Sequence, residues 1–447
     1  MATRSIGAGA MAALSGPAVP MFALMMPLVI FIPPFYAEHM GLGMAAVGTI
    51  FTVGRLFDVV TDPVAGVVMD KTRHMIPKQA WVLIGAIPLS IATWQIFFAQ
   101  APGDTATLMT WLIILYAGWT FMSVGLFSWA SEVTDDYHER SRVMGAVQMA
   151  NAVGMIMVLL IPAVIELMDI QADLDLLRVQ AMGGTILLLL PITLVIAWFY
   201  APKAVSVQES ESSAILPALK HAARNRVLRR LIVADFGVGL KIGIFTALTV
   251  FFVEIVLGLE GRAGLLQLTL LCSSLMGLPL FVYAAGKWGK HTTLAVTAAL
   301  SALGGLLAMT IPPGSILWAI ACYLIFGFSA GASQMLPRAI MADILDEETS
   351  IAGEQRTGLY FSFLTTTFKL GMGLGVGVTY GIAALVGFDP VTAREDSSTH
   401  WVITTMMGIA PLILATLISA MMWKFPLNKE RLEQVRFARE AEAQISP

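Results

Sequence analysis

The sequence predicts an all-α membrane protein of twelve transmembrane helices in two six-helix halves, and three observations carry that prediction. Of 447 residues, 57% are hydrophobic and only 13% charged, about half the charged share of an average soluble domain. Twelve runs are nearly free of charge, each long enough to cross a ~30 Å hydrocarbon core as a helix. The remaining charges collect in alternate connections, as they do when successive spans return a chain to the same side of a bilayer.

The spans are expected at 18–40, 44–69, 79–100, 107–131, 143–168, 179–201, 227–258, 263–286, 292–311, 315–341, 358–387 and 400–425. Connections 70–78, 132–142, 202–226, 287–291 and 342–357 are basic or mixed in charge. Those on the other side, such as "APGDTA" and "IPPGS", are short and poor in Lys and Arg. Of the 27 Lys and Arg residues, Arg178, Arg262 and Arg394 fall on the sparse side and Arg55, Lys241 and Lys369 inside spans. The other 21 fall on one side or in the tails. The positive-inside rule makes that side cytoplasmic, with both termini on it. The longest connection, "KAVSVQESESSAILPALKHAARNR", divides the spans six and six. The expected organisation is therefore an N-terminal bundle over 1–201, a cytoplasmic loop over 202–226, a C-terminal bundle over 227–425 and a cytoplasmic tail over 426–447. Two such halves suit a transporter that rocks around a site near the midplane.

Several function classes are excluded. Cys272 and Cys322 both lie in apolar segments, so neither a disulfide nor a thiolate metal site is expected. No removable leader is visible ahead of the first span. Basic residues are too scattered for a nucleic-acid surface. No His or Cys cluster, nucleotide loop or intramembrane nucleophile–base pair suggests an enzyme, and no cofactor is expected beyond a coupling ion. The expected partners are the bilayer and a small-molecule or amphipathic substrate, and the expected state is a monomer in a bacterial inner membrane.

The second span carries the question. In "GRLFDVVTDPVAGVVMDKTR", Arg55, Asp58 and Asp62 sit where each charge costs about 2.5–3.5 kcal/mol at a helix centre. Asp58 lies about 18 Å from Asp70 along a helix, near the midplane. The i, i+4 spacing puts Asp58 and Asp62 on one face, and Arg55 shares that stripe. Gly54 and Gly66 extend it and allow close approach of another helix. Pro63 frees the carbonyl of Val59. Two carboxylates, the hydroxyl of Thr61 and a spare carbonyl are hard oxygen ligands suited to Na+ or a proton. The alternative is a structural ion-pair stripe. Two acids against one Arg, however, leave a net negative site that a mobile cation would balance, and a scaffold reusing the fold would have little need of it.

The second half contributes Lys369, about 17 Å into its span, with Thr365 one turn before it. A buried ammonium needs a carboxylate, and Asp58 or Asp62 across the interface is the natural one. Lys241 is also near a span centre, either at a functional site or in a local pair with Asp235. Trp119 and Trp129 on the fourth span could stack on a substrate ring.

The pattern R-x-x-D-x-x-x-D-P-x-x-G-x-x-x-D-x-T-R, read at Arg55, Asp58, Asp62, Pro63, Gly66, Asp70, Thr72 and Arg73, resembles the glycoside–pentoside–hexuronide:cation symporters of the major facilitator superfamily. "WASEVTDDYHERSR" and "ADILDEETSIAGEQRTGLYFSFLTTTFK" resemble that family's loop after span 4 and its loop 10–11 with span 11. The resemblance implies that Asp58 and Asp62 bind the coupling cation, Na+ or H+, with Thr61 beside them. It implies that Lys369 links cation and substrate sites and that Thr365 and Trp129 face substrate. It also implies that Asp70, Arg73, Glu132, Asp135, Arg140, Arg142, Asp343 and Arg356 form ion pairs that close the cytoplasmic side.

The substrate contacts depart from the family's melibiose permease. Its aspartates on spans 1 and 4 correspond to Phe22 and Gly125, and its span 5 arginine is missing, with only Gln148 and Asn151 nearby. Phe22, Met25, Met26, Phe121 and Met122 give a greasier cavity. The polar anchors expected are Thr365, Gln148, Asn151, Lys241 and Trp129. That set suits a sugar or glycoside, with an amphipathic lipid such as a lysophospholipid as the alternative, its tail along Phe22, Met26 and Phe121. Sodium-dependent lysophosphatidylcholine symporters share this fold and the same cation and lysine positions.

Overall fold

The computed structural model describes residues 6–72, 74–134, 137–167, 173–203, 225–352, 357–394 and 396–426. Among them every regular element is helical, and twelve helices are long and apolar enough to span a membrane. We number these α1 (Ala8–Ala37), α2 (Met44–Lys71), α3 (Lys78–Phe97), α4 (Thr105–Glu132), α5 (Tyr137–Leu167), α6 (Leu174–Tyr200), α7 (Arg226–Val256), α8 (Ala263–Trp288), α9 (Lys290–Ala308), α10 (Ile316–Ala352), α11 (Thr357–Leu385) and α12 (His400–Met422). Helices dominate because only they satisfy every backbone donor and acceptor within one segment in hydrocarbon. Most hydroxyls in the spans do the same locally. Thr93, Thr185, Thr249 and Thr379, for example, each donate to the carbonyl one turn back.

The ends follow local chemistry. Asp104, Asp173 and Asn225 accept hydrogen bonds from the first-turn amides of α4, α6 and α7 as N-caps. Gly289 alone separates α8 from α9, at φ 89°, a conformation that suits a residue without Cβ. Two boundaries differ from expectation by ten residues or more. α1 begins at Ala8 rather than 18, because the small apolar residues before Gly16 and Pro17 continue the helix. α10 runs on to Ala352, so much of the charged 342–357 stretch is helix rather than loop. Pro27, Pro33 and Pro34 widen the far end of α1, where Ile32 bonds back five residues to Pro27. α7 has a matching wide turn over Phe251–Val256 without a proline.

The packing repeats between halves. α1 packs on α5 as α7 does on α11, α3 on α4 as α9 on α10, and α2 on α4 as α8 on α10. Between the halves the main contacts are α2 with α11 and α5 with α8, again a symmetric pair. The chain therefore forms the two-half, twelve-helix architecture that the sequence predicts. The end of α6, the start of α7, Ile6 and Phe425 stand at one end of the bundle, here called the linker side. There Ile6 N donates to Glu139 Oε2 at 3.2 Å, and Phe425 stacks on His291.

Candidate functional site

α2 and α11 meet along a seam whose tightness changes with depth. Toward the far side, Gly48 lies against Tyr380 and Gly373 against Arg55. A Cβ at Gly373 would stand 2.5 Å from that of Arg55. Thr52 Oγ1 lies 3.5 Å from the carbonyl of Gly373. Toward the linker side the seam opens. Asp58 is fully buried, Asp62 is 26% exposed, and a Cβ at Gly66 would meet nothing within 4 Å. On α11, Tyr380, Val376 and Met372 are buried, Lys369 is partly buried and Thr365 exposed. Gly54 admits a neighbour, the ring of Tyr116 on α4, whereas Gly66 does not, contrary to expectation.

Where the seam opens, the structure brings four charges together. Lys369 Nζ lies 2.6 Å from Asp62 Oδ2 and 3.1 Å from Asp58 Oδ2, crossing from one half to the other. Arg55 Nη1 is 3.5 Å from the same Asp58 oxygen, and its guanidinium lies 5.0 Å over the ring of Tyr116. The expectation of a net negative site needs correcting: with Lys369 included, two cations balance two carboxylates.

Thr120 on α4 completes the cluster and is the residue the sequence reading missed. Its hydroxyl lies 3.0 Å from Asp62 Oδ1, 3.3 Å from Asp58 Oδ1 and 3.4 Å from Thr61 Oγ1. The signal was depth. Thr120 stands twelve residues before Glu132 and Asp58 twelve before Asp70, on helices that run in the same direction. Thr61 also donates to the carbonyl of Asp58 at 3.1 Å. The two carboxylates thus hold the ammonium of Lys369 with their Oδ2 atoms and the hydroxyl of Thr120, with Thr61 beside it, with their Oδ1 atoms. Hard oxygens of this kind suit Na+ or a proton. No cluster of three or more His, Cys, Asp or Glu side chains occurs among the described residues.

Other expected site residues lie elsewhere. Lys241 points into the C-terminal half, where Nζ donates to Ser301 Oγ at 2.8 Å, so it joins neither the Asp58 cluster nor Asp235. Trp129 is buried and its indole donates to the Pro202 carbonyl at 2.9 Å, at the end of α6 rather than toward a substrate. Phe121 stacks on Trp81 of α3, 5.3 Å between centroids. Phe22 instead packs edge-on against Trp119 and Phe127, so the tail path through Phe22 and Phe121 is not assembled. Asn151 and Gln148 bond one another at 3.4 Å on α5. Both cysteines are free.

The gate also differs. Arg73, Asp135 and Arg356 lie outside the described residues, as do the side chains of Asp70 and Arg140. Glu132, Arg142 and Asp343 pair within their own halves, with Lys78, Glu139 and Lys290. Apart from Lys369 with Asp58 and Asp62 near mid-depth, the ion pairs among the described residues that cross between halves stand on the far side. Arg178 Nη1 lies 2.8 Å from Glu254 and Arg394 Nε 2.6 Å from Glu38. Among the described residues the crevice is therefore latched on the far side and open on the linker side.

Burial pushes the Glu38 carboxyl above the ordinary 4.5, against the hydrogen bond and charge of Arg394, and Asp175 and Asp389 push it the same way. An acid raised in the folded chain holds its proton more tightly there than when unfolded. Its contribution to stability is complete below the ordinary value and is lost as pH rises through the folded one. Glu38→Gln is expected to flatten the fall in melting temperature over the window that starts near pH 4.5. An identical slope in wild type and variant would show that Glu38 does not titrate there.

Comparison with known proteins places the chain in a family. Residues 14–429 match the family described as MFS/sugar transport protein. A glucuronide carrier protein homolog of Escherichia coli (strain K12) is 22% identical over 419 residues, covering 91% of this chain and 90% of its own. A sodium-dependent lysophosphatidylcholine symporter of Danio rerio is 19% identical over 453 residues, covering 90% and 82%. The crystal structure of the nucleoside transporter NupG superposes with a TM-score of 0.68 at 14% identity over 92% of this chain and 99% of that one, a likeness of fold. The chain belongs to the MFS/sugar transport protein family, and is a multi-pass membrane transporter rather than an enzyme.

Proposed function

We propose that the protein is a cation-coupled symporter of a sugar or glycoside that works by alternating access. In this proposal Asp58 and Asp62 take up the coupling cation, Na+ or H+, with Thr61 and Thr120 beside them. The observation that carries it is the ammonium of Lys369 seated between Asp58 and Asp62 across the boundary of the two halves. Arg55, Lys369, Asp58 and Asp62 sum to zero, so an added cation leaves one uncompensated charge unless Lys369 withdraws. Charge is costly at this depth. Cation entry and release of Lys369 toward the substrate are thus one event, which is the physical content of coupling.

The halves 1–201 and 227–425 would rock about the 202–226 loop, with the 426–447 tail on the same side. The linker side is cytoplasmic by the count of Lys and Arg, and the membrane is the bacterial inner one. The protein acts as a monomer, since both halves of the site come from one chain. Glu132, Arg142 and Asp343, with Asp70, Arg73, Asp135, Arg140 and Arg356, would re-pair across the halves when the cytoplasmic side closes. Thr365, exposed beside Lys369, and the Gln148–Asn151 pair would meet the solute.

The sugar assignment is supported by the family match, by the relative named a glucuronide carrier homolog and by the scattering of Phe22 and Phe121, which leaves no continuous path for a lipid tail between them. Uptake by proteoliposomes tests it. Accumulation of a glycoside that requires an inward Na+ or proton gradient is expected. Gradient-driven uptake of lysophosphatidylcholine with none of any sugar would transfer the assignment to the lipid.

A further inference from the structure

Arg338 stands in α10, seven residues short of the end of that span at Leu345, about 10 Å inside it. A long basic side chain at such a depth ordinarily snorkels to the nearer surface. This one turns the other way. Nη1 donates to the carbonyl of Gln334 at 2.5 Å, one turn deeper toward the midplane. Its guanidinium carbon lies 5.5 Å over the ring of Phe368, the residue that precedes Lys369. Gln334 is exposed and Arg338 only partly buried, on one face of the helix. Polar and charged groups at this depth face a water-filled space rather than lipid.

Arg338 forms no ion pair among the described residues. Its charge acts on Asp235 of α7, which is fully buried with neither carboxylate oxygen hydrogen-bonded. Away from the ends of the described spans, the cations are Arg55, Lys241, Arg338 and Lys369, and the carboxylates are Asp58, Asp62 and Asp235. One positive charge is left over. Lys241 is enclosed against Ser301, which in turn meets Ser329 at 2.8 Å, whereas Arg338 is open.

We infer that Arg338, backed by Phe368 of the helix that carries Lys369, is the anchor for an oxyanion on the transported solute, a carboxylate or a phosphate. The inference rests on the symporter proposal and narrows its substrate to an anionic sugar. A guanidinium presents a planar fork that matches either group with two parallel hydrogen bonds. The solute would supply the missing negative charge, and its departure would leave the guanidinium on Gln334 and Phe368, where it stands here.

The test is ligand-dependent melting of the purified full-length protein with methyl glucuronide, glucose 6-phosphate and methyl glucoside, which lacks the oxyanion. At least one anionic probe is expected to bind on the order of tenfold or more tightly than methyl glucoside, and which one does so tells carboxylate from phosphate. Arg338→Gln is expected to erase that preference. Arg338→Lys keeps the charge toward Asp235 but lacks the fork, and is expected to keep only part of it. Equal binding of all three probes by wild type, or no binding of either anion, overturns the assignment. So does an equal loss of every probe in Arg338→Gln that the Asp235→Asn/Arg338→Gln variant restores, because Arg338 would then serve only as the counter-charge of Asp235. Cation-dependent melting of wild type and Asp62→Asn is read on the same preparations. If that signal behaves as the symporter proposal requires while the anion preference is absent, only the role of Arg338 fails. If the cation signal is absent too, the coupling proposal fails with it.

Discussion

Asp58→Asn and Asp62→Asn are each expected to abolish cation-driven solute accumulation, with losses large enough to leave only downhill exchange. Two acids within reach of one ammonium hold a cation as a unit, so neutralising either removes most of the hold on it. The two variants should differ in stability. Asp58 is fully buried and shared by Arg55 at 3.5 Å, Lys369 at 3.1 Å and Thr120 at 3.3 Å. Its loss leaves Arg55 without a carboxylate and Lys369 with Asp62 alone, at a cost of about 3–5 kcal/mol for a broken buried pair. Asp62 is 26% exposed, so water takes over part of its role and a smaller drop in melting temperature is expected. Uptake with and without an ion gradient, beside melting curves with and without Na+, separates the two effects. Unchanged ion dependence in both variants would sink the assignment of the cation site.

How much of this was legible in the sequence depends on the kind of information involved. The spans and the two-half arrangement follow from hydropathy and charge placement, which are one-dimensional. So does the Asp58–Asp62 face, because helical periodicity fixes it within a single element. Lys369 could be matched to those acids because depth along a helix is countable, and a buried ammonium has few places to go. Direction around the helix axis was not legible for residues without such a partner. Lys241 and Trp129 have the right depth, yet Ser301 and the Pro202 carbonyl draw them into their own halves. Phe121 turns to Trp81 for the same reason. Arg338 was counted with the linker side because it stands near the end of its span, and only the bond to Gln334 shows that it points inward. Which side is latched could not be read at all. Acidic and basic residues occur at both ends, and the choice between pairings within and across halves belongs to a conformation rather than to a sequence.

Lys369→Ala is expected to lose active transport and, less intuitively, to bind the coupling cation more tightly than wild type. In the described state the ammonium fills the space between Asp58 and Asp62, so an incoming cation must displace it. Without it, Arg55 alone faces two carboxylates, and the cluster carries a net negative charge that a cation relieves. The variant should therefore melt well below wild type in Na+-free buffer near neutral pH, since breaking a buried pair costs about 3–5 kcal/mol. It should recover more of that deficit on Na+ addition than wild type gains, because binding to the folded state alone stabilises it in proportion to ln(1 + [L]/Kd). If the cation is a proton, the same recovery appears on acidification instead, and Na+ has no effect. Lys369→Arg keeps the charge and should suppress the enhanced response, although its broader fork need not restore transport. Normal gradient-driven uptake in Lys369→Ala, or a melting temperature indifferent to both Na+ and pH, would show that the ammonium does not compete with the coupling ion, and the coupling scheme would have to be abandoned.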